Sequence, residues 1–499
     1  MSISRATSRR GGWGNLPALC AATLLVASAC SSSATPATVA PATEAPATVA
    51  PATVAPASAA PASAAAFTPS SDTGTINVLL VANDDQQTMT KQMFPDFQKR
   101  YPNITVNFTV LPENDERAKM TTDLATGAGQ FDVVAEGLYN TPLDAKQGWL
   151  LDLQPSLSAD TAYNLNDVSA GIRAALSYNG DLYAAPIGAD LEVTMYRKDL
   201  LAAAGVTMPL SPTWTDIDTI SQKLLSTLPK GVYPDCLRAL PGWGQMGAEL
   251  NTVVNTFGGR WFDANWNAQV TSPATSAAIK FYLNEVRKYD APGSTQSGNN
   301  ECGTQFATGK AAIFIDDSGW GDYMLDPANN PQAANLGFAY APVGPADVGK
   351  SVGHGAWLWS WAYGVEKTSK NQTAALDFIK WATGPDYVAD AIPVVGFGHI
   401  PPLVRASALA LPAYQTYAKD LIPILSGTMA GLDPAHPTVF SDTPYVGSTY
   451  PEIPEWSDIG DKCTQEFAAA IAGSETDDQA IANCQQVAQS AVDAAGYHK

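Results

Sequence analysis

From residue 74 onward the chain alternates apolar runs of strand length with amphipathic helical stretches, and this alternation narrows the fold more than any other feature. "GTINVLLVAN" is a strand-length apolar run that ends in polar "DDQQ". "TKQMFPDFQKRYP" sets Met93, Phe94 and Phe97 on one helical face, and "ITVNFTV" reads as the next strand. A helix over "ERAKMTTDLATGA" stops at glycine, and the buried strand "FDVVAE" follows. Such alternation predicts an α/β fold with a mainly parallel sheet. Ligands gather at the carboxyl ends of strands in these sheets. That rule singles out Asn83, Asp84 and Asp85 after the first strand, and Glu136 and Tyr139 after the third.

The pattern continues. "LYAAPIGADLEVTMYRKDLLAAAGV" gives a buried strand, a polar break at Asp190, and a second strand running into a helix. "PTWTDIDTISQKLLSTL" is a helix capped by Thr213 or Thr215, and "SPATSAAIKFYLNEVRKYD" is another. "GKAAIFIDDSGWGDYM" is a strand ending in Asp316 and Asp317, with Trp320 just beyond. The tail forms two amphipathic helices around a Gly-Ser turn, the second capped by Thr476. With 499 residues, two lobes plus appendages are expected.

The first seventy residues are of another kind. Arg5, Arg9 and Arg10 precede an apolar run to Val26 and small residues before Cys30, the three parts of a secretory signal. "VASAC" resembles a bacterial lipobox, which would make residues 1–29 a lipoprotein signal peptide and Cys30 the lipidated first mature residue. Residues 30–73, nearly all Ala, Pro, Thr, Ser and Val, read as an extended tether. At about 3 Å per residue it would hold the folded part on the order of 100 Å from its anchor. Four cysteines remain, Cys236, Cys302, Cys463 and Cys484, and an even number in an exported chain suggests disulfides. Of three connectivities, Cys463 with Cys484 and Cys236 with Cys302 is favoured.

Forty-eight Asp and Glu against 28 Lys and Arg give a net charge of -20, which argues against nucleic acid. There is no CxxC, and no metal or cofactor is expected. "GPADVGKS" (344–351) satisfies the phosphate-loop spacing. However, "VGHGAWLWSWAYGV" follows it with strand alternation instead of a helix, so a glycine-rich loop is the better reading. In "GHGAWLWSWAYGV", Trp357, Trp359 and Trp361 fall on alternate positions, which in a strand places them on one face.

Several long blocks then carry a resemblance: "NDERAKMTTDLATGAGQFDVV", "CLRALPGWGQ", "VVNTFGGRWFDANWNAQ", "FATGKAAIFID" and "TPYVGSTYPEIPEWSDIG". They resemble the polyol-binding lipoproteins of bacterial ABC importers, the sorbitol- and mannitol-binding branch of the family 1 extracellular solute-binding proteins, relatives of maltose-binding protein. The resemblance implies a two-lobed periplasmic-binding-protein fold of type II, with solute held in a cleft between lobes joined by a hinge. It implies an N-terminal lobe of residues 74–192 and 343–384 and a C-terminal lobe of 193–342 and 385–499. Crossings would lie after Asp190 and near Pro342 and Gly384.

The function implied is capture of a polyol (sorbitol, mannitol or a related alditol) or small sugar outside the cytoplasm. A lipid-anchored monomer would deliver it to the permease. Hydroxyls that donate and accept suit Asp, Glu, Asn and Arg, and C–H faces suit aromatic rings. The candidate ligand contacts are therefore Asn83, Asp84, Glu136, Tyr139, Asp190, Arg238, Trp243, Asp316, Trp320, Trp357 and Trp359. Asp190 stands where the family leads one to expect Glu, and Ala356 where a polar residue is expected. Asp317 is expected to be solvated, His354 and His399 structural, and Trp361 a core residue. The alternative is a carbohydrate-active hydrolase pairing Asp190 with Asp316 or Glu136 across the cleft, although no nucleophile elbow or HExxH accompanies them.

Overall fold

The computed structural model describes residues 69–347 and 356–498. The expected signal peptide, Cys30, nearly all of the tether, His354 and the end of the glycine-rich loop from Val348 lie outside the described residues. The strands that carry the fold are β1 (Gly74–Val81), β2 (Ile104–Leu111), β3 (Val133–Gly137), β4 (Ala184–Pro186), β5 (Asp190–Arg197), β6 (Ile313–Asp317), β7 (Leu336–Tyr340), β8 (Leu358–Trp359) and β9 (Trp361–Val365). They form two sheets, one in the order β2-β1-β3-β9-β4 and the other with β5 paired to β6, β7 and β8.

In the first sheet β1 is buried on both faces by Ile76, Val78, Leu79, Leu80 and Val81, the mark of a strand covered by helices on each side. Fully burying each such aliphatic side chain contributes roughly 1.5–3 kcal/mol. The strand β1 pairs in parallel with β2 and β3, as the alternation predicts. Among the named strands, parallel pairing ends there. The strand β9 runs antiparallel to both β3 and β4, and β5 is antiparallel to each of its partners. The sequence pattern follows neighbours along the chain, whereas β9 enters its sheet from the other lobe and so runs against it.

The crossings between lobes lie elsewhere than expected. Ser360 alone separates β8, in the second sheet, from β9, in the first. Val343 bridges to Thr213 and β8 pairs with β5, so both Val343 and Leu358–Trp359 sit with the second lobe and the return comes at residue 360, not 343. There the two crossing segments are stitched together. Ser360 Oγ donates to Gly188 O (2.5 Å) and Ile187 N to Trp361 O (2.8 Å). Nor does the chain leave the first lobe at Gly384. The helix Pro385–Val395 is held there by Arg100 pairing with Asp386 (3.0 Å) and Asp390. His399 touches the second lobe through Asn329 (3.1 Å), Arg405 donates to the first-lobe carbonyls of Tyr163 and Thr383 (both 2.9 Å), and Tyr414, bonded to Asp322 (3.0 Å), lies with the second lobe.

Of the helices that matter for the site, α1 (Glu113–Thr126) follows β2 and ends at Gly127, whose φ of 61° needs glycine. In the second lobe α2 (Trp214–Leu224) starts with a Thr213/Asp216 capping box. It is followed by α3 (Met246–Thr256), α4 (Asn299–Ala307) and α5 (Ser318–Leu325). The tail is α6 (Trp456–Ile471) and α7 (Asp477–Ala495), the latter capped by Thr476 and Gln479. Disulfides join Cys236 to Cys302 and Cys463 to Cys484. The first fastens the loop bearing Arg238 and Trp243 to α4; the second fastens α6 to α7.

Candidate functional site

A cleft of about 1030 Å³, open solvent at its mouth included, lies between the lobes. Its first-lobe wall comes from the carboxyl ends of β1 and β2: Asn83, Asp84 and Asp85 after β1, Glu113 and Arg117 on α1. The second-lobe wall comes from Arg238, Trp243 and Gln245, from Asn299 on α4, and from Asp317 and Trp320 where β6 meets α5. The hinge supplies Asp190, Trp357, Trp359 and Trp361, and the 398–402 loop adds His399.

Eight of the expected ligand residues thus share one cleft: Asn83, Asp84, Asp190, Arg238, Trp243, Trp320, Trp357 and Trp359. Three do not line it. Glu136 is fully buried behind the first sheet and accepts from Thr141 (3.2 Å). Tyr139 is buried and donates to Ile453 O (2.9 Å). Asp316 is fully buried beneath the cleft floor, clamping Arg238 through both carboxylate oxygens. For these three the strand-end rule located the right end of the sheet but not the direction of the side chain. Asp317, expected in solvent, lines the cleft and caps α5 by accepting from Trp320 N (3.1 Å).

The indoles are positioned from behind. A Cβ at Gly303 would lie 2.1 Å from Trp320 Cε2, and one at Gly137 would lie 2.1 Å from Trp359 Cζ2, so two cleft tryptophans rest on glycine. The Nε1 of Trp320 donates to Asn299 Oδ1 (3.0 Å), fixing the ring's rotation. Trp357 is held at both nitrogens: its backbone N donates to Glu192 Oε2 (3.4 Å) and its Nε1 to Glu249 Oε1 (3.3 Å). All three strand tryptophans line the cleft, including Trp361, expected in the core. Trp357 and Trp359 are 2% and 8% exposed, whereas Trp361 is only half-buried and faces the cleft beside Arg117.

Charge in the site is unevenly matched. Around the Arg238 guanidinium stand Asp316, Glu249 (3.6 Å) and Asp317 (3.7 Å), with Glu192 behind. One cation cannot neutralise four carboxylates removed from water, so protons are retained. Burial raises Glu192 to about 8 and Asp317 to about 7, and holds Glu249 well above the carboxylate range. Asp85 is raised to about 7 and Asp190 well up, also by burial first and then by neighbouring carboxylates. Protonated or shared, these groups donate as well as accept.

Sequence reasoning missed Glu113, Arg117, Gln245, Asn299, Asn300, Tyr323 and His399. The strand-end rule, applied to β2 as it was to β1 and β3, would have found Glu113, two residues beyond Leu111. His399, read as structural, bonds Asp84 (2.8 Å) and Asn329 (3.1 Å) while facing the cleft. Among the described residues no His, Cys, Asp and Glu cluster suits a metal ion.

Comparison with known proteins places this geometry. The mannitol-binding protein of Pseudomonas aeruginosa is 36% identical over 425 residues, covering 85% of this chain and 94% of that protein. The crystal structure of an ABC transporter solute-binding protein from Agrobacterium vitis with bound D-mannitol is 39% identical. It superposes with a TM-score of 0.81, covering 85% of this chain and all of that one. A solute-binding protein from Agrobacterium radiobacter in complex with ribitol shares the fold at 22% identity and a TM-score of 0.71, with 83% and 98% covered. The model of the bacterial extracellular solute-binding proteins matches residues 83–389, more than half of the chain, which therefore belongs to that family.

Proposed function

We infer that this chain is the polyol-capturing component of an ABC importer, taking a hexitol such as D-mannitol or a closely related alditol. The observation that carries this reading is the composition of the cleft. Carboxyl groups (Asp84, Asp85, Asp190, Asp317) and side-chain amides (Asn299, Asn300, Gln245) line one space walled by indoles. Both guanidiniums are already engaged, Arg117 with Glu113 (2.9 Å) and Arg238 with Asp316. Among the described lining residues an anionic solute would therefore meet carboxylates and two arginines already paired, whereas a neutral polyhydroxylated chain finds donors, acceptors and ring faces together. The 39% identical mannitol-bound structure supports the same ligand class.

The reading includes an extracytoplasmic location with Cys30 as lipid anchor, delivery to a membrane permease, and action as a monomer without turnover. The hydrolase alternative loses its acid–base pair, because neither Asp316 nor Glu136 reaches the cleft where Asp190 lies. A thermal-shift and calorimetric panel of hexitols, pentitols and monosaccharides tests the assignment. A ligand at 100 times its Kd should stabilise by about 2.7 kcal/mol. A response to monosaccharides with none to any alditol would overturn the polyol reading, and product formation from glycosides would overturn the binding-only one.

A further inference from the structure

The first turn of α1 and the segment Pro241–Gln245 meet across the cleft mouth more closely than two lobes free to separate require. Glu113 Oε2 accepts from Gln245 Nε2 (2.8 Å), and Asn114 Nδ2 donates to the Pro241 carbonyl (3.0 Å). The Arg117 guanidinium, held by Glu113 Oε1, lies over three indoles at once: Trp243 at 4.3 Å, Trp361 at 4.7 Å and Trp359 at 4.9 Å. Two of those rings belong to the hinge and the third to the second lobe.

The two glycines of "PGWGQ" are what permit this approach. A Cβ at Gly244 would lie 2.6 Å from Glu113 Oε1, and one at Gly242 would lie 2.8 Å from Asn114 Oδ1, so a side chain at either position would displace the Glu113 carboxylate or the Asn114 amide from these bonds. Gly242 also has a φ of 145°, which L residues rarely adopt. We propose that Glu113, Asn114 and Arg117 on one lobe and the Pro241–Gln245 segment on the other form a clasp that holds the cleft shut, making Asn114 an affinity-determining residue that never touches the ligand.

The clasp is wired to the cleft floor. Gln245 Oε1 accepts from Asn299 N (3.0 Å), and Asn299 in turn holds Trp320 through its side-chain oxygen and Asp317 through its amide nitrogen (2.5 Å). A solute resting on Trp320 and Asp317 thus fixes Asn299, which orients Gln245 toward Glu113. A ligand can shift an opening equilibrium only through such differential contacts. Cation–π contact with a desolvated indole adds to the closed state and is lost when Trp243 withdraws.

The inference rests on the polyol reading for its ligand but not for its geometry, and the test separates the two. Asn114 is exposed and outside the cleft lining, so Asn114→Ala removes one bridge without touching solute or core. Stopped-flow tryptophan fluorescence with D-mannitol should show dissociation about two- to tenfold faster than wild type, the range for one lost hydrogen bond. Association and the melting temperature of the unliganded protein should be unchanged. Glu113→Ala/Asn114→Ala/Gln245→Ala should lose more than 50-fold in affinity and show a larger radius of gyration by solution scattering, with or without ligand. Unchanged dissociation from Asn114→Ala would overturn the clasp. Should the wild type bind no alditol, the polyol reading fails on its own, and scattering decides the clasp: an unchanged radius in the triple variant overturns it.

Discussion

Glu116 offers a direct test of how this protein pays for its buried acids. It sits on α1 fully out of solvent, and neither carboxylate oxygen has a hydrogen-bond partner. Burial raises it from 4.5 to about 8, with Arg117 lowering it slightly and Glu113 opposing that. The folded pKa lies above the unfolded one, so between pH 4.5 and 8 the folded state keeps a proton that the unfolded chain has released. Stability therefore falls as pH rises through that window, at up to about 1.4 kcal/mol per pH unit. Integrated from 4.5 to 8, with half-ionisation at the upper end, the loss from this one group is on the order of 4 kcal/mol.

Glu116→Gln isolates that loss, because an amide has nearly the shape of the protonated acid and does not titrate. At pH 4.5 both side chains are neutral and unpartnered, and the two proteins should lie within about 1 kcal/mol. At pH 8 the variant should be more stable by about 3–5 kcal/mol. Urea titrations at half-unit steps give the difference directly, and the other buried carboxylates, common to both proteins, cancel. Glu136, whose pKa Glu116 helps to raise, is relieved in the same direction. Parallel curves for wild type and variant from pH 4.5 to 8 would refute the reasoning, since they would mean that Glu116 is solvated or paired in solution.

Three further outcomes follow from named contacts. Gly303→Ala would put a methyl 2.1 Å from Trp320 Cε2, displacing the indole, so calorimetry should show at least a tenfold loss of D-mannitol affinity. Glu192 and Glu249 accept from the backbone N and Nε1 of Trp357. Ionisation of Glu192 around pH 8 adds charge beside Asp316, so affinity should fall from pH 7 to 9 and that fall should flatten in Glu192→Gln. Replacing both members of the Cys463–Cys484 pair, 21 residues apart, by Ala should cost about 3 kcal/mol in urea unfolding, and losing the Cys236–Cys302 pair, 66 apart, about 4. The second replacement should also weaken ligand binding, because that bridge carries Arg238 and Trp243 against α4.

The α/β class was legible because each strand and helix announces itself within ten or fifteen residues: an apolar run, a 3.6-residue stripe, a threonine cap, a glycine stop. Thr213 and Thr476 cap their helices for the reason the sequence suggests, a side-chain oxygen beside free amides. The lobe boundaries were not legible, because a crossing is defined by which sheet a strand joins, and pairing partners lie far away in sequence. Gly384 interrupts two helices, yet Arg100, nearly three hundred residues earlier, keeps the second on the first lobe. Burial direction was hidden for the same reason. Asp316 and Asp317 are adjacent and alike, and only the pleat of β6 against β5 sends one beneath Arg238 and the other into the cleft.

The three tryptophans at alternate positions show where local periodicity stops being informative. Alternation assigns a common face only while a strand stays in one sheet, and this strand changes sheets at Ser360. Trp357 and Trp359 then belong with β5, where the buried carboxylates Glu192 and Glu249 and the bare backbone of Gly137 receive them. Trp361 starts β9 at the rim of the first sheet, opposite Gly137, and turns its ring toward Arg117 and the cleft. The residue expected to be core thus lines the cleft with the other two and is the least buried of the three. Trp361→Ala should lower affinity with little loss of stability, whereas Trp357→Ala, which empties a site 2% exposed, should cost about 3–5 kcal/mol in unfolding as well as binding. Equal stability of the two variants by urea titration would mean that the sheet change at Ser360 does not divide their roles.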